Sequence, residues 1–423
     1  MAQLYTKKTW LSEVIKDSDM NRIENACSGR KYHVFANGTD GDFSTIAEAI
    51  AQVGTDGGGT IVLHGEFTLS ATINLNVSHC ALTAGPKGAT IKKGVGLNAP
   101  SLYIHSAVGL SSVIIQGILF DGEKTSQAAG IGEIEIGKIN NLIIKDNIIE
   151  DAYADGIHID SNVNRNIWIL DNVFSGIDGY PVNHDVDTSS ERLWINKNRF
   201  ASFKKSAIRF YGNSPEHVYI TENNIDCSGQ TSTYYGIETA AGVAIAYGVI
   251  HNNIIINVYD DAIHVASAGV EVTGNEIELC GGDGIHVSGS QFVVAQNIIN
   301  NVDGHGINVP IDEYSIVTGN IINDVMFHGV YMQSSTQSSV VGNLIHNCSQ
   351  ASHNTYSGVK LVGLNSAAHA NHVASNTANK HQYGVDESGT KNHVVGNSSH
   401  GHATGAVNVT GAGSQSSSNT GTV

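Results

Sequence analysis

The sequence predicts an all-β solenoid, in which the chain winds into coils that stack along one axis. An Ile/Val-x-x-Asn-x-apolar motif recurs along most of the chain, and most of its steps are 22–26 residues long. The composition favours strands and turns, with 47 glycines and many Ile and Asn residues. A period of this size without a helical pattern indicates stacked strands rather than helical repeats.

The asparagines of this motif are equivalent positions, one in each predicted coil. Identical side chains that repeat along stacked strands can form ladders of hydrogen bonds. We therefore predict an internal amide ladder at one turn of the solenoid. Its members are Asn147, Asn172, Asn198, Asn223, Asn252, Asn275, Asn297, Asn320, Asn343, Asn376, Asn397 and Asn419.

Residues 1–30 precede the array and are predicted to be a separate N-terminal segment, whereas residues 31–423 are predicted to form a single β-solenoid domain. In the first segment, Thr9-Trp10-Leu11, Met20-Asn21 and Ile23-Glu24 resemble the N-terminal segment of phage tail and baseplate proteins. That resemblance implies attachment to a virion. A short amphipathic helix that caps the first coil is the alternative interpretation.

A helix followed by glycines opens the array. Ser44 or Thr45 can cap a short helix whose inner face carries Ile46, Ala49 and Ile50, and residues 57–59 are glycines that lead into an apolar strand. This segment resembles the N-terminal cap of pectate-lyase-like β-helices. The resemblance implies a right-handed parallel β-helix of about 12 to 14 coils with a short N-terminal helical cap.

The net charge and its distribution restrict the partners of the protein. The formal charge is −17, and phosphate binding requires clustered Lys and Arg, so no nucleic acid partner is predicted. Nine of the 22 basic residues lie between Lys138 and Arg209, whereas residues 210–359 contain 14 acids and no Lys or Arg. A polyanionic ligand is therefore expected to bind the first part of the array.

Membrane insertion and secretion by a signal peptide are not predicted. No run of 18 apolar residues occurs, so no membrane partner is expected. The N-terminus lacks an apolar signal region, and an extracellular or virion-associated location would require another route of delivery.

No cofactor is required by any motif in the sequence. Cys27, Cys80, Cys227, Cys280 and Cys348 have no metal-like spacing and are predicted to be buried thiols. The 20 histidines lack repeated His-x-His spacing, so no metal site is predicted. Ca²⁺ is compatible with the acidic coils, although no ligand loop of recognisable spacing occurs.

A second repeated element, x-Gly/Ala-apolar-x-apolar, predicts two outward-facing polar columns. In a strand the apolar residues of this element point inward and the intervening residues point outward. Stacked coils would then form a long groove suited to an extended polysaccharide. One column comprises His158, Arg209, Glu238, His264, His286, Asn308, Tyr331, Lys360, Asp386 and Asn408. The flanking column comprises Asp155, Ser206, Tyr235, Asp261, Asp283, His305, His328, Ser357 and Tyr383.

In one coil of this groove Tyr153 precedes His158 by five residues, with Asp155 between them. This coil resembles the catalytic region of mannuronan C5-epimerases and related β-helix alginate lyases, in which a Tyr precedes a His by the same five residues. The following coil of the family opens with Asp-Gly-aromatic, as in residues 178–180, and supplies an Asp, for which Asp185 is the nearest match.

The resemblance also implies basic residues one coil later, where Lys204 and Lys205 stand. Removing the C5 proton of a uronate requires neutralisation of its carboxylate, a base and an acid. The resemblance assigns His158 and Tyr153 to base and acid, with Lys204, Lys205 and Arg209 offsetting the charge. Glu238 and His264 continue the groove as substrate contacts. The implied function is that of an alginate or mannuronan epimerase or lyase, on a phage-encoded chain if the N-terminal resemblance holds.

Departures from the family keep other functions open. Where the family has the sequence Asp-Pro-His-Glu, residues 156–159 of this chain are Gly-Ile-His-Ile. Asp260-Asp261 and Gly304-His305-Gly306 resemble fragments of polygalacturonases, whose paired carboxylates catalyse inverting hydrolysis. A further alternative is a phage tailspike or fibre, a homotrimer that binds a surface glycan and either leaves it intact or hydrolyses it.

Overall fold

The computed structural model describes residues 23–422 apart from residues 25, 28, 161–163, 187–190, 213–214, 231, 233, 240–242, 244, 246, 353–354 and 376–380. Most of the predicted N-terminal segment, including Trp10 and Met20, lies outside the described residues. Where the chain is described, it forms parallel coils whose strands stack in three rows.

The first row consists of strands that precede the asparagine turn of each coil. They are β1 (Arg30–Phe35), β2 (Gly59–Leu69), β4 (Cys80–Lys93), β6 (Leu110–Gln116), β9 (Ile139–Lys145), β12 (Arg165–Leu170), β15 (Glu191–Asn196), β18 (Glu216–Thr221), β21 (Val249–His251), β24 (Glu271–Thr273), β27 (Val293–Ala295), β31 (Ile316–Thr318), β35 (Ser339–Val341), β38 (Ala367–His369), β41 (His393–Val395) and β44 (Gln415–Ser417).

The second row follows the asparagine turn and joins the first row through the long strands β2 and β4. Its other strands are β7 (Leu119–Asp121), β10 (Ile148–Glu150), β13 (Val173–Ile177), β16 (Arg199–Phe203), β19 (Asn224–Asp226), β22 (Ile254–Val258), β25 (Glu276–Cys280), β28 (Ile298–Val302), β32 (Ile321–Val325), β36 (Leu344–His346), β39 (His372–Ala374), β42 (Ser398–His400) and β45 (Thr420–Thr422).

The third row is a separate sheet, which carries the polar columns. Its strands are β3 (Ile73–Leu75), β5 (Leu102–Ile104), β8 (Gly132–Ile136), β11 (Asp155–Asp160), β14 (Val182–Val186), β17 (Ile208–Gly212), β20 (Ile237–Thr239), β23 (Ile263–Ala268), β26 (Ile285–Ser290), β29 (Ile307–Val309), β33 (Val330–Met332), β37 (Val359–Leu361), β40 (His381–Glu387) and β43 (His402–Val409). Two short strands, β30 (Asp312–Glu313) and β34 (Ser335–Thr336), pair separately. Within the described ranges the first row has 16 strands and the third row 14, so the solenoid has about 15 coils, slightly more than the predicted 12 to 14.

The inside of the coils is a continuous apolar core. Every second residue of a strand points inward, so that Ile157 and Ile159 are fully buried on either side of the outward residue 158. Aromatic residues from successive coils also stack inside, as in Phe174 and Phe200, whose ring centroids are 4.8 Å apart. This packing holds neighbouring coils in a fixed register, which aligns the outward side chains as well.

The amide ladder is confirmed, with two changes of residue. Each ladder asparagine uses its backbone N–H and its Nδ2 to donate to Oδ1 of the next one, as Asn172 does to Asn198 at 2.9 and 3.0 Å. Asn253 rather than Asn252 occupies the ladder. The residue before a ladder asparagine lies in a turn with a left-handed backbone, and Asn252 adopts that conformation at φ 53°. Asn371 rather than Asn376 fills a later rung, and Asn376 lies outside the described residues.

The predicted cap helix is confirmed as α1 (Ile46–Asp56). Thr45 caps it, since its side chain accepts from the backbone N–H of Glu48, while the Glu48 side chain accepts from the Thr45 N–H. Ile46, Ala49, Ile50 and Val53 are buried against the first coils. A 3₁₀ turn also occurs at Lys124–Ser126.

The prediction of buried thiols is confirmed, because all five cysteines are free and buried. In the ranges that the structure describes, no helix has the length and apolar character needed to cross a membrane.

Candidate functional site

The outward column predicted from the sequence is confirmed by the strand register and gains one residue. His158 pairs with Asn183 and Asn183 pairs with Arg209. We call this column the polar strip, which runs in register through His158, Asn183, Arg209, Glu238, His264, His286, Asn308, Tyr331, Lys360, Asp386 and Asn408. The repeat pattern did not include Asn183, because residues 180–184 lack the Gly or Ala of the other coils.

The flanking column is less exposed than expected. Asp155, Asp261 and Asp283 are between 6% and 8% exposed, and Ser206 and Ser357 are fully buried. The three aspartates and Ser206 form hydrogen bonds to residues of the strip. This part of the flanking column therefore orients the polar strip instead of forming a second surface.

Asp155 and His158 form a hydrogen-bonded pair at one end of the polar strip. Oδ2 of Asp155 lies 2.9 Å from Nδ1 of His158, and the same oxygen accepts from Nδ2 of Asn183 at 2.8 Å. Oδ1 of Asp155 accepts from the backbone N–H of Tyr180 at 2.9 Å. The carboxylate is thus fixed by the next coil, and it orients the imidazole so that Nε2 remains for a ligand.

A glycine makes this arrangement possible. A Cβ on Gly156 would lie 2.6 Å from the carbonyl oxygen of Pro181 in the next coil, closer than packed atoms approach. The coil that follows can therefore sit directly against β11, which brings Tyr180 and Asn183 to Asp155.

The acids around His158 control its protonation. Burial alone would lower the pKa of His158, but the hydrogen bond to Asp155 and the charges of Asp155, Asp160 and Asp185 outweigh burial and raise the pKa. Asp185 is not in the polar strip itself, because it pairs with Asp160 two residues further along the strand. On the other side of His158, burial raises the pKa of Glu135.

The Asp155–His158 pair predicts a pH-dependent contribution to stability. Because the folded pKa of His158 is raised above 6.5, the pair stabilises the fold fully below that pH and loses this contribution as pH rises through the folded pKa. Asp155→Asn is expected to shrink the difference between the unfolding free energies at about pH 5 and about pH 8, and to lower the titration midpoint of the His158 ring signals in NMR. An unchanged midpoint would contradict this coupling.

Tyr153 lies in the turn that precedes β11 and is 40% exposed. In the described part of the chain, it makes no hydrogen bond or ring contact with His158. Tyr153 and His158, the predicted acid and base, are therefore close along the chain but do not contact each other directly.

The three basic residues divide between two environments. Arg209 packs between two aromatic rings, with its guanidinium carbon 4.6 Å from the ring centroid of Tyr180 and 4.5 Å from that of Tyr211. Lys205 also lies over Tyr180, at 4.7 Å. Lys204 is about half exposed and forms an ion pair with Asp178 at 2.5 Å.

Arg209 forms an ion pair with Glu238 in the polar strip. Its Nε lies 4.0 Å from Oε1 of Glu238 and is a buried atom without a hydrogen-bond partner among the described residues. Oε2 of Glu238 accepts from Ser206 at 2.5 Å. The side chain of Arg209 is 19% exposed, and a planar guanidinium suits a carboxylate ligand. The two tyrosines that hold Arg209 were not predicted from the sequence to contact it. Tyr180 comes from the preceding coil, and Tyr211 lies two residues after Arg209 in β17.

A second Asp-His pair occurs further along the polar strip. Nδ1 of His264 lies 2.8 Å from Oδ2 of Asp261, and the ring of His264 stacks on that of His286 with centroids 4.5 Å apart. Ligand atoms of Asp261, His264 and His286 lie within 4.8 Å of one another, so these residues could hold a metal ion. Asp283 and His286 form a third Asp-His pair at 3.2 Å in the next coil, so the strip contains one isolated Asp-His pair at His158 and two adjacent pairs at His264 and His286.

A surface depression at the N-terminal cap is separate from the polar strip. It has a volume of about 390 Å³ and is lined by residues of β1, of α1 and of the segment between them, among them Tyr32, Phe43 and Asp56. It contains none of the site residues predicted from the sequence.

A family match supports the fold over residues 236–420, and several solved structures have low similarity to the chain. Residues 236–420 match the family described as "Right handed beta helix region", and no curated protein matches significantly. A mannuronan C-5 epimerase A-module from Azotobacter vinelandii is 14% identical, with 89% of this chain and 94% of that chain covered and a TM-score of 0.46. An exopolygalacturonase from Thermotoga maritima is 12% identical, with coverage of 93% and 96% and a TM-score of 0.44. The Dettilon tailspike protein is 14% identical, with coverage of 89% and 68% and a TM-score of 0.42. The stacked parallel strands show that the chain is a parallel β-solenoid, and its residues 236–420 match the right-handed β-helix family.

Proposed function

We propose that this protein acts on an acidic polysaccharide and moves the C5 proton of its uronate residues, as an alginate or mannuronan epimerase or lyase. The observation that supports the proposal is an Asp-oriented histidine, His158, on the same strip as the guanidinium of Arg209. One coil separates them, which corresponds to about 10 Å between Cα atoms at ordinary strand spacing. Tyr180 contacts both groups, because Arg209 stacks on its ring and its backbone N–H donates to Asp155.

The proposed chemistry begins with charge neutralisation. Arg209 binds the uronate carboxylate, which takes up negative charge as the C5 proton leaves. Neutral His158 accepts that proton at Nε2, because its Nδ1 is engaged by Asp155. The raised pKa of His158 makes the neutral imidazole a stronger base than an ordinary histidine.

Two outcomes follow from the resulting carbanion. In elimination, the electron pair from the C5–H bond forms a C4–C5 double bond, the C4–O4 bond breaks, and O4 receives a proton. In epimerisation, C5 receives a proton from the opposite face. Tyr153 is the proposed proton donor, because it flanks His158 in the turn before β11. Asp185 raises the basicity of His158 by its charge.

The remaining polar strip provides the proposed subsites. Successive coils are about 4.8 Å apart, a spacing that suits successive sugars of an extended chain. Glu238 and His264 would contact neutral hydroxyl groups beyond Arg209. Lys204 and Lys205 would attract the polyanion to this end of the array.

The proposal is tested by incubating the protein with polymannuronate, polyguluronate and polygalacturonate. Ultraviolet absorbance reports unsaturated ends from elimination, and proton NMR reports inversion at C5. With the polyuronate that the wild type turns over, Arg209→Gln is expected to raise KM at least about tenfold, because a charge-assisted bidentate contact to the carboxylate is lost. The difference in KM between the wild type and Arg209→Gln is expected to be smaller at high salt, because salt screens the contact between the guanidinium and the carboxylate. No such difference is expected for a substrate without carboxylates.

Arg199→Gln is the matched control, since Arg199 is exposed in β16, away from the polar strip. It is expected to leave KM unchanged. Absence of turnover on all three polyuronates would overturn the enzymatic proposal, and an unchanged KM in Arg209→Gln would remove Arg209 from the carboxylate site.

A glycan-binding tailspike without turnover is the second candidate. Exposed tyrosines favour it, since Tyr211 and Tyr259 are 46% and 55% exposed and aromatic faces stack on sugar rings. This candidate predicts a homotrimer in light scattering and glycan binding without new products. The enzymatic proposal predicts products in either oligomeric state.

A further inference from the structure

The coil of residues 259–264 repeats the sequence of the coil of residues 153–158. Both read Tyr-x-Asp-(Gly/Ala)-Ile-His, and both place the Asp side chain against Nδ1 of the His. His264 lies four coils beyond His158 in the polar strip. The two coils differ in their cations, because residues 210–359 contain no Lys or Arg. The second coil thus lacks a counterpart of Arg209.

The residue that follows His264 in the strip explains how the second coil could obtain a positive charge. His158 is followed by an asparagine, whereas His264 is followed by another histidine, His286. Nδ1 of His264 and Nδ1 of His286 lie 2.8 and 3.7 Å from the same oxygen, Oδ2 of Asp261. Ligands of a tetrahedral zinc ion lie about 3.3 Å apart, given metal–ligand distances near 2.0 Å. Two imidazoles and one carboxylate therefore surround a point suited to a metal ion.

The surroundings hold these ligands in place and leave them reachable. Oδ1 of Asp261 accepts from the backbone N–H of Asp283 at 2.6 Å, which leaves Oδ2 for the two histidines. Asp283 is fixed by Nδ2 of Asn308 at 2.6 Å and adds a second negative charge, 3.2 Å from Nδ1 of His286. The side chains of His264 and His286 are 26% and 22% exposed, so an ion can enter from solvent.

We propose that Asp261, His264 and His286 bind a divalent transition-metal ion, with Zn²⁺ as the representative ion, and that its open coordination position takes an oxygen of the bound glycan. Neutral imidazoles combined with one carboxylate favour zinc and similar ions over Ca²⁺, which prefers oxygen ligands. The glycan part of this inference rests on the proposed function, whereas binding of the ion itself does not. At the second coil the ion would supply the positive charge that Arg209 supplies at the first.

The test is calorimetric titration of the full chain, freed of metal by a chelator, with Zn²⁺ and separately with Co²⁺. One ion per chain is expected to bind, and a large excess of Ca²⁺ is not expected to compete. His264→Gln, His286→Gln and Asp261→Asn are each expected to weaken binding at least about 100-fold, because each removes a direct ligand. His393→Gln is the control, since His393 is exposed in the first row of strands.

NMR of the wild type keeps the test independent of how well the variants fold. Zn²⁺ is expected to shift the ring signals of His264 and His286 and to leave those of His158 in place. Absence of saturable binding, or binding that leaves these two rings unperturbed, would overturn the metal site. If Zn²⁺ binds but does not increase affinity for an inert polyuronate fragment at least about threefold, the glycan role is wrong and the metal site stands.

Discussion

His158→Gln is expected to lower the turnover number on the polyuronate substrate by about 10²–10⁴-fold, the usual effect of removing a general base. Glutamine retains the size and polarity of the side chain but cannot accept a proton at this position. The Asp155 carboxylate would keep its bonds to Tyr180 and Asn183, so the coil should remain folded. Steady-state kinetics over a pH series provides the measurement, since the activity of the wild type should rise as His158 loses its proton.

The control for this variant is His346→Gln in β36, a strand of the second row, which should retain wild-type turnover. The KM of His158→Gln should change little, because the carboxylate contact of Arg209 remains. If both His158→Gln and Tyr153→Phe retain most of the activity, the chemistry does not occur at this coil.

Asn223→Ala is expected to destabilise the protein by about 3 kcal/mol or more, since several buried groups lose their partners at once. Asn223 is 1% exposed. Its Oδ1 accepts two bonds from Asn198, and its Nδ2 donates to the carbonyl of Ile195 at 2.8 Å and to Oδ1 of Asn253 at 2.9 Å. Chemical denaturation followed by circular dichroism gives the difference in unfolding free energy.

Asn224→Ala is the matched control, because Asn224 is the next residue and is exposed. Its loss should cost less than about 0.5 kcal/mol. Equal effects of the two substitutions would show that the ladder contributes no more than an ordinary surface asparagine.

The fold could be predicted from the sequence because its determinants repeat. Each coil must supply inward apolar residues and a ladder asparagine, so the period and strand type are visible without knowledge of distant contacts. The two errors in the ladder arose where more than one nearby asparagine could occupy the same rung. Asn252 and Asn253 are adjacent, and only the backbone conformation decides that the first takes the left-handed position and the second the rung.

The site was less predictable because its contacts join coils whose loops differ in length. Alignment of the polar strip followed from the repeat, but Asn183 was missed because its coil departs from the pattern. The placement of Arg209 between Tyr180 and Tyr211 depends on side-chain packing across adjacent coils. The repeat placed His264 next to His286 in one column and Asp261 in the flanking column, but the turn of the Asp261 side chain back toward both histidines could not be predicted from the repeat.

The five buried cysteines give the solenoid its own internal reporters of local opening. Burial raises the pKa of Cys27, Cys80 and Cys348 to about 12, so these thiols are protonated and unreactive while their coils are closed. They are distributed along the axis, with Cys227 and Cys280 between them. The rate at which an alkylating reagent reaches each thiol therefore measures the opening of its own coil, and the order of the five rates distinguishes fraying from one end from cooperative unfolding of the whole array.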